Sequence, residues 1–175
     1  QIQKVFPDLN SSDLKKVMGA QGSQQSVVYH GPMLFISMSM PEPVIKDVFR
    51  ISVEKGIPLN LIGLVTDSPR LQDTVIYLKQ LAKEANLSQE PWIQLSPNDF
   101  TKYHVNMVPT LVQDDGQGRF HRMEGSINID YFNEKVKEAS SDKDYLNEKA
   151  GTSWPIKEKS LIEDLKERMA KIDWD

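Results

Sequence analysis

Cysteine is absent from this 175-residue sequence. That removes structural disulfides, Cys-based zinc sites, thiol nucleophiles and dithiol redox chemistry together. Long apolar runs are also missing: none approaches the roughly 20 residues of a membrane helix, so no membrane span is expected. Histidine is scarce, with only His30, His104 and His121, and no H-x-x-x-H spacing among them. No metal-ligand pattern forms. His104 ends a short predicted helix, where a cation is favourable. Neither G-x-S-x-G nor a phosphate loop occurs, and Gly116 and Gly118 belong to a predicted hairpin turn. No cofactor and no catalytic residue is therefore expected. An excess of basic residues is lacking too. The chain has 21 Lys+Arg against 25 Asp+Glu, a net charge of −4, which argues against nucleic acid as a direct partner. Finally, the chain opens on Gln1 rather than Met. It reads as processed or truncated, with any signal peptide removed.

What is present suffices for one core. A chain of this length buries roughly 70% of its unfolded surface and needs no staples. Residues 1–26 read as an N-terminal extension: Leu14, Val17 and Met18 form a short helical stripe, and Gly19 to Ser26 a flexible link. Val27-Val28-Tyr29 is a short β-prone run. Met33 to Met38 is nearly all apolar, as expected of a strand buried on both faces. Pro41 opens a helix carrying Val44, Ile45, Val48, Phe49 and Ile51, which ends at Gly56. Leu59 to Val65 is a second apolar strand. Asp67-Ser68-Pro69 starts an amphipathic helix with Leu71, Val75, Leu78, Ala82 and Ala85. Trp92 to Leu95 is a strand, and Ser96 to Asp99 caps a short helix. Met107 to Val112 is extended. Asp114-Asp115-Gly116 turns it into a strand over Arg119 to Met123, and a helix follows from Ile129 to about Ser140.

Residues 141–175 are polar and interrupted by Gly151-Thr152-Ser153. They read as a linker and a helical tail with Leu161, Ile162, Leu165, Met169 and Ile172 on one face. That face either docks on a partner or a second copy, or packs back on its own domain. Strand–helix alternation implies parallel strands, and the closing hairpin adds antiparallel ones. The expected fold is α/β: a thioredoxin-like mixed sheet flanked by helices over residues 27–140, with a C-terminal helical tail.

Three stretches carry a family resemblance. Phe35-Ile36-Ser37-Met38-Ser39-Met40-Pro41, Ile57 to Leu64 (I-P-L-N-L-I-G-L) and Ile93 to Thr110 (I-Q-L-S-P-N-D-F-T-K-Y-H-V-N-M-V-P-T) resemble, in order, the TrbC family of F-type conjugative pilus assembly proteins. Ile62 departs from the family, in which an Arg is expected there. Trp154-Pro155-Ile156-Lys157-Glu158-Lys159-Ser160-Leu161 resembles the opening of TraW, the partner of TrbC, with Ser160 in place of an acid. The resemblance implies a periplasmic, non-enzymatic component of a type IV secretion system. Its implied partners are other envelope proteins of pilus assembly.

The resemblance to thioredoxins implies a cis Val108–Pro109 bond beside the position where thioredoxins carry Cys-x-x-Cys; Met40-Pro41-Glu42-Pro43 stands there instead. Backbone before such a proline pairs with extended peptides. Met107, Val108 and Pro109, with Met38 and Met40, are thus candidate partner-binding residues in an adaptable apolar groove. Alternatively, Pro109 only shapes a turn and the methionines are core. Trp154, Pro155, Leu161 and Leu165 are the tail's candidates for partner binding or self-association. Two rival functions stay open: a redox-inactive peptide-binding chaperone of thioredoxin fold, unrelated to conjugation, and an enzyme using Ser, Asp or His, for which no constellation is visible.

Overall fold

A computed structural model of the chain describes residues 29–141 and 144–172. The expected N-terminal stripe of Leu14, Val17 and Met18, the link to Ser26, Val27, Val28 and Trp174 lie outside the described residues.

Strand β1 (Met33–Phe35) leads into helix α1 (Glu42–Lys55). Pro43 sits in the first turn, where its missing N–H would have had no helical partner. Gly56 ends the helix at φ 67°, in the left-handed conformation glycine adopts without a Cβ penalty, and its N–H closes on the Ser52 carbonyl. β2 (Leu59–Leu61), α2 (Leu71–Glu84), β3 (Ile93–Leu95) and the short α3 (Pro97–Lys102) follow. β4 (Met107–Val108) precedes a cis Val108–Pro109 bond, in line with the resemblance. β5 (Thr110–Asp114) and β6 (Phe120–Glu124) form the expected hairpin, and α4 (Ile129–Ser141) packs Ile129, Phe132 and Val136 inward.

Among the described residues the main sheet has six strands in the order β3-β2-β1-β5-β6-β7. β1, β2 and β3 are parallel neighbours, because α1 and α2 return the chain across the sheet between them. β5 is antiparallel to both β1 and β6. The sheet is mixed and flanked by helices, with a C-terminal helix beyond it, as the sequence predicted. Leu34, Phe35, Leu59, Leu61, Leu111 and Met123 are fully buried at its centre. Phe35 meets Phe100 edge to face at 4.9 Å between ring centroids, a favourable aromatic geometry.

Two differences from the sequence reading have physical reasons. Tyr29 is not in a strand; it lies exposed, its ring edge-on to Trp92. Conversely β7 (Asn147–Lys149) pairs parallel to β6 inside a stretch too polar to be read as a strand. It is an edge strand with exposed Asn147 and Lys149, so backbone pairing rather than apolar alternation makes it. Beyond it lie β8 (Trp154–Pro155) and α5 (Leu161–Ala170).

Candidate functional site: an extended segment seated beside the cis-proline

The site lies where β1 runs out of the sheet. Ser37 to Met40 form a turn closed by the Met40 N–H on the Ser37 carbonyl, and Pro41 then caps α1. Residues 107–108 lie alongside. Thr110 Oγ1 donates to the Met107 carbonyl at 2.7 Å, and the Gly125 N–H donates to the Pro109 carbonyl at 2.8 Å. The backbone of Met107 and Val108 is thereby tied to the start of β5 without joining the main sheet.

That backbone has a partner. β8 pairs antiparallel with β4, Met107 opposite Pro155 and Val108 opposite Trp154. The two groups of residues singled out in the sequence, one around Pro109 and one around Trp154, meet in the same chain. The strand addition expected of a partner peptide is made by the protein's own C-terminal segment.

Five further hydrogen bonds to the segment continue the seat. Ser37 is fully buried. Its hydroxyl donates to Glu158 Oε1 at 2.6 Å, while the Met38 N–H donates to Glu158 Oε2 at 2.9 Å. The same hydroxyl accepts from the Ser39 and Lys157 N–H groups. Ser39 Oγ donates to the Pro155 carbonyl at 2.5 Å. Downstream, the Leu161 N–H donates to the Ile62 carbonyl at 2.8 Å. Gly63 is required beneath this crossing, because a Cβ there would overlap the Lys159 carbonyl. Leu161 and Leu165 are buried in the common core, and α5 packs on α3. Arg168 bonds Asp164 through both Nε and Nη2 and reaches the Pro69 carbonyl at 2.8 Å. The open alternative for the tail's apolar face resolves here: it packs on its own domain.

Each nominated residue can now be placed. Val108, Pro109, Leu161, Leu165 and Met40 are buried. Met38, Met107 and Trp154 are half-buried at the seat, and Pro155 is exposed. Met40 belongs to the core rather than to the groove surface. Sequence reasoning missed Ser37, Ser39, Gly63 and Glu158. The available signal was two serines at a strand exit opposite the backbone before Pro109. The sequence also expected Ser96 to cap α3 with its side chain; its hydroxyl instead donates to Asn60 Oδ1 at 2.9 Å.

An ionisable cluster lies at the turn end of the β5–β6 hairpin. Tyr103 Oη donates to Asp114 Oδ2 at 2.7 Å. Burial pushes the phenol well above its ordinary range, and the Asp114 hydrogen bond and charge push it the same way. Burial alone would raise Asp114, but donation from Tyr103, Gly116 and Lys102 outweighs it and holds the carboxyl low. This is a hydrogen-bonded clamp on the turn. Among the described residues there is no group of three or more His, Asp or Glu placed to hold a metal ion.

The site is thus a cysteine-free α/β domain with its own two-residue strand seated beside a cis-proline. Comparison with known proteins gives the family. Residues 34–143 match the model of TrbC_Ftype, the type-F conjugative transfer system pilin assembly protein. The match covers most of the chain, and the protein belongs to that family. It is also similar to the periplasmic protein TrbC of Escherichia coli (strain K12), 29% identical over 116 residues, 66% of this chain and 52% of that protein. The chain thus spans about half the length of the curated relative it matches. No solved structure matches it.

Proposed function

We propose that this protein is a non-enzymatic periplasmic component of an F-type conjugative type IV secretion system, acting in pilus assembly and mating by binding an extended peptide segment. Family membership and the periplasmic designation of the Escherichia coli relative support the setting. The observation that carries the binding role is the antiparallel pairing of Met107–Val108 with Trp154–Pro155. Main-chain pairing of this kind supplies affinity, and side-chain subsites supply selectivity.

The fold is best described as thioredoxin-like. Two parallel strands joined by α1, a hairpin entered through a cis-proline, and the closing helix α4 support that description. At the position of the redox motif, Met40-Pro41-Glu42-Pro43 supplies no nucleophile, so the shape serves binding. Residues 27–140 form the binding domain. Residues 141–175 supply the edge strand β7 of the domain's sheet and then the TraW-like tail, a fused partner segment. The partners are other pilus-assembly proteins of the envelope.

The test is made in cells carrying the parent conjugation system. Deleting the gene should abolish piliation and transconjugants, and the full-length protein should restore both. Affinity capture should recover other components of the transfer apparatus. Normal transfer without the gene, or capture of no transfer component, overturns the proposal.

A further inference from the structure

The chemistry of the seat is concentrated in eight consecutive residues. Trp154 and Pro155 supply the strand, Glu158 the carboxylate, and Leu161 the apolar anchor. The receiving groups are the backbone of Met107 and Val108, the Ser37 hydroxyl, the Met38 N–H, the Ser39 hydroxyl and the Ile62 carbonyl. Everything on the ligand side comes from one linear stretch. That is how a peptide motif is recognised, and its last residue, Leu161, also opens α5 and anchors it in the core.

Among these contacts the carboxylate clasp is the selective one. Backbone pairing accepts any extended segment. The Ser37 hydroxyl and Met38 N–H instead converge on the two separate oxygens of one carboxylate. Charge-assisted bonds of this kind are about twice as strong as neutral ones. A glutamine in place of the glutamate presents an NH2 to one of two donors, leaving a donor facing a donor. The Ser37 hydroxyl itself depends on the occupant: of its three hydrogen-bond partners, Glu158 and Lys157 belong to the segment, and only Ser39 belongs to the domain. The clasp therefore requires a glutamate three residues after the proline.

We propose that Ser37 and Met38 form a glutamate-reading subsite of a peptide groove, and that Trp154–Leu161 is a resident ligand which a separate chain bearing aromatic-Pro-x-x-Glu-x-x-Leu replaces. This rests on the peptide-binding reading above and names its ligand. The segment's own attachment is suited to replacement. β8 is two residues long, pairs among the described residues only with β4 and stands apart from the main sheet.

The test uses the full chain and a fluorescein-labelled synthetic peptide copying residues 153–172. Binding is followed by fluorescence anisotropy to the wild-type chain and to a W154A/E158A chain, whose weakened resident should vacate the groove. The peptide should bind the double variant at least about tenfold more tightly than the wild type, since the resident no longer competes. Changing the peptide's glutamate to glutamine, or adding Ser37→Ala to the host, should each weaken binding about tenfold. Equal binding by both hosts, or indifference to the glutamine change, overturns the proposal.

Should the double variant fail to fold, a protease site inserted between Gly151 and Thr152 of the otherwise wild-type chain replaces it. After cleavage the labelled peptide should exchange for the released fragment, and retention of the fragment against excess peptide overturns the proposal. Formation of a dimer by the uncut wild-type chain, with each copy supplying the other's segment, also overturns it. None of these readings requires a conjugation system. Their failure is thus separable from failure of the pilus-assembly role.

Discussion

Strand β1 and the segment Trp154–Leu161 meet at the same end of the sheet, yet they are held by different means. β1 is flanked on both sides, parallel to β2 and antiparallel to β5, and its Leu34 and Phe35 are fully buried. The segment has one two-residue pairing, a clasp on a single carboxylate and one fully buried leucine. Burial of large apolar side chains dominates folding free energy, whereas hydrogen bonds contribute about 1 kcal/mol net each. The contrast teaches that continuity of chain does not imply equality of attachment: β1 is inseparable from the fold, and the segment is a docked strand on it.

The sharpest way to break that comparison is to cut into each region and see whether the effects differ in kind. Phe35→Ala removes a fully buried ring packed against Phe100 and Tyr103. It should cost about 3–5 kcal/mol, read as a shift of the whole urea transition by circular dichroism. A shift worth under about 1 kcal/mol would mean that β1 is not integral to the fold.

Leu161→Ala should cost about 2–5 kcal/mol, but of docking rather than of folding. Hydrogen exchange should show amides from Trp154 to Ala170 losing protection while β1, β2, β5 and β6 keep theirs. Uniform loss across the sheet would make the segment an integral element and erase the contrast.

Gly63→Ala sharpens the comparison from the domain side. No residue of the segment is altered, yet the new methyl meets the Lys159 carbonyl. Overpacking of this kind costs about 1–3 kcal/mol. The same exchange pattern as for Leu161→Ala, with weaker amplitude, is expected. Unchanged protection from Trp154 to Ala170 would show that the crossing at Gly63 does not hold the segment down.

These two regions were also unequally legible. β1, α1, β2, α2 and the β5–β6 hairpin follow from apolar runs, helical stripes, Pro and Gly, because burial writes itself into side-chain type. The cis peptide at Pro109 came only through resemblance, since local sequence does not decide it. The seat was legible in halves. Met107, Val108 and Pro109 were named for peptide pairing and Trp154, Pro155, Leu161 and Leu165 for binding, but nothing in the sequence joined the two sets. Long-range pairing through backbone leaves no periodicity. β7 escaped for the same reason, and Ser37 because a serine inside an apolar run looks like a neutral filler until its partner, Glu158, is known. Among the described residues much of the joining geometry also runs through atoms common to all residues, the N–H and C=O groups of Met38, Ile62, Pro155 and Leu161, which meet the Glu158 carboxylate, the Ser39 hydroxyl and each other.

The smallest expected effect concerns the strand that precedes the segment, and it separates the two regions by pH. His121 is buried on β6, and its Nδ1 accepts the Leu146 N–H at 3.1 Å at the entrance to β7. The other ring nitrogen, Nε2, then carries the proton, 3.3 Å from Ser140 Oγ. Burial pushes the imidazole below its ordinary pKa, and the Asp115 charge only partly opposes this. The folded protein therefore refuses a proton that the unfolded chain accepts below about pH 6.5. Stability from this site is full above that value and is lost as pH falls through the lower folded pKa. A protonated Nδ1 turns donor and expels the Leu146 N–H. Exchange of the Leu146 to Ala150 amides, corrected for intrinsic rates, should accelerate modestly between pH 7 and pH 5. The amides of β1 should not respond. His121→Gln should lower protection at pH 7 and flatten the pH dependence. A pH response of equal size in β1, or one that survives in the glutamine variant, would place the sensitivity elsewhere and leave β7 as firmly held as the sheet centre.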